Sequence, residues 1–254
     1  MAPGVLGSAD CVSLLQESLR KCTELHDSKC QTTPPKDIPN FWVIDSQKNC
    51  LVPGISVDKY AALSYVWGCP SNASSDQTPA ERPVLQWSNL NNFRSPGYLS
   101  ESGIADKLPK VIQDSIDFVK QSGVRYLWVD CLCIAQNDET TAANVLSMRE
   151  IYSGAYFTII AAAKSPGLYG AGTNTERDRK EIRIVGSLHR ALFTAHWATR
   201  GWTFQEQMLS KRSFVFLDDA IFWDCQGDVW SHCSTYLFAG NGKNNSLAPN
   251  NNIS

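Results

Sequence analysis

Three short apolar runs stand out along the chain: Tyr60 to Trp67, Tyr126 to Val129 and Tyr156 to Ala162. Each is rich in aromatic and β-branched residues and hardly alternates with polar ones, the pattern of a strand covered on both faces. Amphipathic patterns separate the last two from what precedes them. Leu108, Val111, Ile112, Ile116 and Val119 share one helical face, with Pro109 in the first turn and Gly123 at the stop. Val145, Met148 and Tyr152 mark a second helix over about Thr141 to Ser153, closed by Gly154. Helix, strand, helix, strand, with right-handed crossovers, predicts an α/β fold with a mainly parallel central sheet and flanking helices.

The flanks add less regular pieces. Cys11 to Leu25 has helical spacing through Leu14, Leu15, Leu19 and Cys22, and a proline-bearing linker follows at Pro34 to Pro39. Phe41 to Asp45 and Asn49 to Val52 read as a hairpin. Cys69 to Gly103 is a long polar connection, a decoration or a lid, with a helical turn near Leu90 to Phe93. Ile182, Ile184 and Val185 suggest an exposed strand, and Thr199 to Leu209 a turn into a helix. Phe214 to Leu217 and Ile221 to Cys225 flank an Asp-Asp-Ala turn, which predicts an antiparallel hairpin near one edge of the sheet. The expected division is an N-terminal helix and linker over 1–39, an α/β domain over 40–235 and a disordered tail over 236–254.

Composition narrows the class. With 254 residues, 43% of them hydrophobic, the chain can bury a full core. A formal net charge of -2 offers no basic surface for nucleic acid. The first ten residues lack the basic and apolar regions of a signal peptide, and no apolar run reaches the length of a membrane span. The nine cysteines are odd in number and scattered, so reduced thiols and a cytoplasmic location are expected.

Open α/β sheets hold ligands beyond the carboxyl ends of their strands. That rim would gather Ser64, Trp67, Gly68, Asp130, Gln136 and Asp138, with Arg200, Trp202 and Glu206 as a second polar-aromatic group. An aromatic face and an Arg could hold a nucleotide, and Glu206 or Asp138 could stabilise an oxocarbenium-like centre during glycosidic cleavage. The competing reading of each residue is structural. Ser64 would be a core serine bonded to nearby backbone, Trp202 would be core, and Arg200 would pair with Asp130 or Glu206. Asp130 itself would be a ligand group or a cap on the next loop. Cys22, His26 and Cys30 recur at steps of four and could offer three zinc ligands. No fourth ligand is evident beyond the candidate Cys50, so they are read as a helix end packing a His and two thiols, with no metal. Gly167 to Gly172 fits no phosphate-loop spacing and is read as a loop.

Four blocks, Ala62-Leu-Ser-Tyr-Val-Trp-Gly68, Leu108-Pro with Tyr126 to Ile134, Met148 to Tyr156, and Arg200-Gly-Trp-Thr-Phe-Gln-Glu206, together resemble the heterokaryon incompatibility (HET) domain of filamentous fungi over roughly residues 40 to 226. The Cys22 to Cys30 segment resembles one that often precedes that domain. The resemblance implies non-self recognition and programmed cell death. It also implies a TIR-like or flavodoxin-like α/β sheet that self-associates, assembles with other HET- or NLR-type signalling proteins, or cleaves NAD. No cofactor is implied, NAD entering only as a substrate. The family usually carries a Trp and a Glu in the helix after its Asp-Asp pair. Here Asn137 takes the first acid position and the helix begins Glu139-Thr-Thr-Ala-Ala-Asn-Val-Leu-Ser, without either residue.

Overall fold

In the computed structural model, the described residues are 8–66, 82–136, 147–163, 167–168, 184–199, 201–218 and 220–233. Eight strands form one sheet: β1 (Trp42–Asp45), β2 (Cys50–Pro53), β3 (Tyr60–Ser64), β4 (Tyr126–Trp128), β5 (Phe157–Ala161), β6 (Arg212–Phe216), β7 (Ala220–Cys225) and β8 (Val229–Cys233). Their order is β2-β1-β4-β3-β5-β6-β7-β8. The three apolar runs are indeed adjacent and parallel, as β4, β3 and β5, and β6 joins them in parallel. The remaining four pairings are antiparallel. The sheet is therefore mixed, with a parallel centre and antiparallel flanks, and not mainly parallel as the crossover pattern predicts. The reason is that both hairpins add antiparallel pairings to the central sheet, the second of them beside β5 towards one edge, as its turn predicts. β1 runs antiparallel to β4 on one side, and the β6–β7 hairpin acquires a further strand, β8, on the other.

The helices are α1 (Ser8–His26), α2 (Leu90–Arg94), α3 (Ser102–Ala105), α4 (Lys110–Ser122), α5 (Asp130–Cys133), α6 (Met148–Gly154), α7 (Ile184–Thr194) and α8 (Gly201–Leu209). α4 follows its apolar spacing and stops where Gly123 takes a left-handed φ of 81°. The expected helix over Thr141 to Ser153 is described only from Met148; positions 141–146 lie outside the described residues, as does the expected disordered tail. The exposed strand expected at Ile184 and Val185 is instead the start of α7. Leu188 and Leu192, one turn apart, are buried against the sheet there, and that tertiary contact overrides the local β-branched run.

Side-chain alternation assigns the helices to two faces. On one face Phe118 of α4 stacks on Phe214 and meets Phe216 edge-on, while Trp223 and Trp230 stack beneath α1, whose Ser18 accepts a hydrogen bond from the Trp230 indole. On the other, the Tyr60 hydroxyl donates to the Ile151 carbonyl of α6, and Tyr152 donates to Leu63. Ile160 and Val215 pack there against Leu188, Leu192 and Trp197. Gly154 ends α6 so close to the linker that a Cβ would lie 2.8 Å from the Thr33 carbonyl oxygen and 2.9 Å from Pro35. Among the described residues no helix is long and apolar enough to cross a membrane.

A half-buried ion pair fixes the first hairpin. Asp45 receives a forked pair of hydrogen bonds from Arg125 at 2.6 to 3.0 Å and caps the N–H groups of Gln47 and Lys48. Burial alone would raise its carboxyl; the Arg125 and backbone hydrogen bonds outweigh that and hold it below the usual carboxylate range.

Candidate functional site

Two places in the molecule gather chemistry, at opposite ends of the parallel strands. The first is the carboxyl-end rim. Ser64 closes β3 and Asp130 follows β4, each two residues past the paired Ala62 and Trp128, so the two strand ends lie side by side as expected. Their side chains are occupied with the fold. The buried Trp197 indole donates to Ser64 Oγ at 2.9 Å, a partner 133 positions away and not the nearby backbone expected. Asp130 Oδ1 accepts from the Cys131 N–H at 2.7 Å, capping the turn that follows. Gln136 bonds back to the Ile134 carbonyl, and its own N–H donates to Leu85. Glu206 is buried on α8, which packs on α6 and β3. Trp67, Gly68, Asp138 and Arg200 lie outside the described residues; Trp202 lies on α8, but its side chain is not described.

The second place is at the amino end of the same strands. Cys22 and His26, one turn apart on α1, and Cys30, at the end of the short 3₁₀ turn Asp27–Cys30, meet Cys225 at the end of β7. The four ligand-type atoms all lie within 4.8 Å of one another. His26 Nδ1 is 3.3 Å from Cys225 Sγ. Cys22 and Cys30 are fully buried, and the other two residues are half-buried. Cys50, the candidate fourth ligand by sequence, lies on β2 at the far edge of the sheet.

The turn after β7 is built around this cluster. The Cys225 N–H donates to the Asp228 carbonyl, and a Cβ at Gly227 would overlap the His26 ring, so only glycine lets the turn come this close. A hydrogen bond with Cys22, then N–H groups of Gly227 and Asp228, hold the Cys225 thiol well below its ordinary range against the effect of burial. The same shared hydrogen bond, with burial, pushes Cys22 up, and burial pushes Cys30 up. Cys225 is the residue that sequence reasoning misses. Its signal is a cysteine closing an apolar strand with a glycine two positions on, 195 residues after Cys30.

The family model described as heterokaryon incompatibility protein (HET) matches residues 60–206, more than half of the chain. No curated protein and no solved structure matches, so the TIR-like or flavodoxin-like relationship has no structural counterpart behind it. The matched segment holds β3, β4 and β5, while the four clustered Cys and His residues flank it on both sides. The chain belongs to the heterokaryon incompatibility (HET) family, and that membership points to a role in heterokaryon incompatibility.

Proposed function

We propose that the chain is a signalling module of fungal non-self recognition that passes on a programmed-cell-death signal by assembling with like domains. Family membership supports the process. The observation that carries the assembly step is an apolar patch on α7 and α8. Phe193 and Phe204 are 68% and 44% exposed with ring centroids 5.9 Å apart, and Met208, one turn beyond Phe204, is 61% exposed. Three large apolar side chains on neighbouring helices suit an interface better than a surface left in water. The only charged residue of α8 is the buried Glu206, so the α8 side of the patch presents no charge to a second copy.

The test is light scattering of the purified chain across a concentration series, beside expression in a filamentous fungus. Phe204→Glu with Met208→Glu should shift the protein to monomer and abolish growth arrest, with little change in melting temperature because both side chains are exposed. A wild-type chain that stays monomeric throughout, or a double variant that still arrests growth, overturns the reading. A second reading, cleavage of NAD or a related nucleotide, is favoured by the buried Glu206 carboxylate on α8. Nicotinamide release that disappears in Glu206→Gln would replace assembly with catalysis.

A further inference from the structure

We infer that Cys22, His26, Cys30 and Cys225 form a structural zinc site that locks the first helix of the chain to the hairpin after its last central strand. Three thiolates and one imidazole are a complete tetrahedral ligand set with no open position, the composition of structural zinc centres and not of catalytic ones. Zinc–ligand bonds of about 2.0–2.3 Å place ligand atoms roughly 3.5–4 Å apart in a tetrahedron. Four atoms already within 4.8 Å need only small side-chain adjustments to reach that geometry. The nitrogen turned to Cys225 is Nδ1, which makes it the ligating atom of His26.

An independent observation concerns charge. Zinc with three thiolates carries one net negative charge, and a buried charge must be compensated. Arg212 stands opposite Cys225 in the β6–β7 pairing and bears electrostatically on Cys22. It is 4% exposed, and among the described residues its Nε has no hydrogen-bond partner. Among the described residues no carboxylate forms an ion pair with it; its guanidinium lies over the Tyr156 ring, 5.1 Å from the centroid. A buried cation without a carboxylate, beside four metal-ligating groups, is what an anionic metal centre requires. Backbone groups of Gln226, Gly227 and Asp228 lie against the sulfurs of Cys30 and Cys225, as the surroundings of a thiolate–metal centre do.

The inference does not depend on whether the domain assembles or cleaves NAD. Its test is the zinc content of the full chain purified under reducing conditions, by mass spectrometry of the metal, with Cys225→Ser, Cys30→Ser and the distant Cys50→Ser in parallel. About one zinc per chain is expected in the wild type and in Cys50→Ser, with a loss of about tenfold or more in the other two. Should those two fail to fold, the wild-type chain alone decides. Stripped of metal and loaded with Co²⁺, it should show the absorption of a tetrahedral cobalt–thiolate centre. Less than about a tenth of a zinc per chain together with no cobalt–thiolate absorption would overturn the site. So would full zinc retention in folded Cys225→Ser, or a disulfide among the three cysteines in freshly purified protein.

Discussion

Ser64 shows how one hydroxyl can be misjudged from its neighbours in sequence. It ends a strand at the rim where a nucleophile would sit, yet it accepts the hydrogen bond of the buried Trp197 indole. Ser64→Ala would leave that N–H without its acceptor, at about 1–2 kcal/mol of stability, measurable by denaturant unfolding. In the growth assay proposed above, the signal per folded molecule should be unchanged, because the hydroxyl is taken up by that hydrogen bond. The core role of Ser64 was legible in the sequence from the apolar run around it. Its partner was not, since hydrophobic periodicity reports burial and says nothing about which residue arrives from 133 positions away. Cys225 failed for the same reason. The helical spacing of Cys22, His26 and Cys30 was visible, but the local signal at Cys225, a strand-ending cysteine before a glycine turn, does not say that sheet order brings it to them.

Elements were more legible than their pairings. The three central strands, α1, α4 and both hairpins follow from apolar spacing, turn residues and the Gly123 stop. The direction of the outer strands did not follow, because an apolar run reads the same in a parallel or an antiparallel ladder. The first hairpin is held to β4 by the Asp45–Arg125 pair, and this makes its anchoring sensitive to acid. Asp45→Asn should cost about 2 kcal/mol near neutral pH, less than a fully buried pair, because the Arg125 side chain is 38% exposed. The folded carboxyl titrates below its unfolded value, so its contribution is fully present above about pH 4 and fades as pH falls through the lower folded value. The melting-temperature gap between wild type and Asp45→Asn, followed from pH 7 downwards, should be flat and then close.

At the scale of the whole molecule, the family-matched segment is not the folding unit. Residues 60–206 carry three of the eight described strands, whose outer edges are paired by β1 and β6 from outside, while α1, also from outside, joins the same apolar core. A fragment of 60–206 should therefore give no cooperative unfolding transition and should aggregate, whereas 8–233 should melt as one unit; circular dichroism against temperature distinguishes the two. The candidate rim is as legible as its described part allows. Ser64 and Asp130 are neighbours as the strand pattern required, while the Arg and Trp groups meant to join them lie beyond what is described or lack described side chains.

The packing of α1 against β7 also dictates an order of events during synthesis. Leu15, Leu19 and Cys22 emerge before either of the elements that α1 packs on: α4 follows about ninety residues later and β7 about two hundred, judged by separation along the chain. Until α4 emerges the greasy helix has nothing to rest on, and its side towards Cys225 stays open until β7 follows. Chaperone occupancy of α1 on ribosome-bound chains should accordingly fall in two steps, first when α4 emerges and again when β7 does.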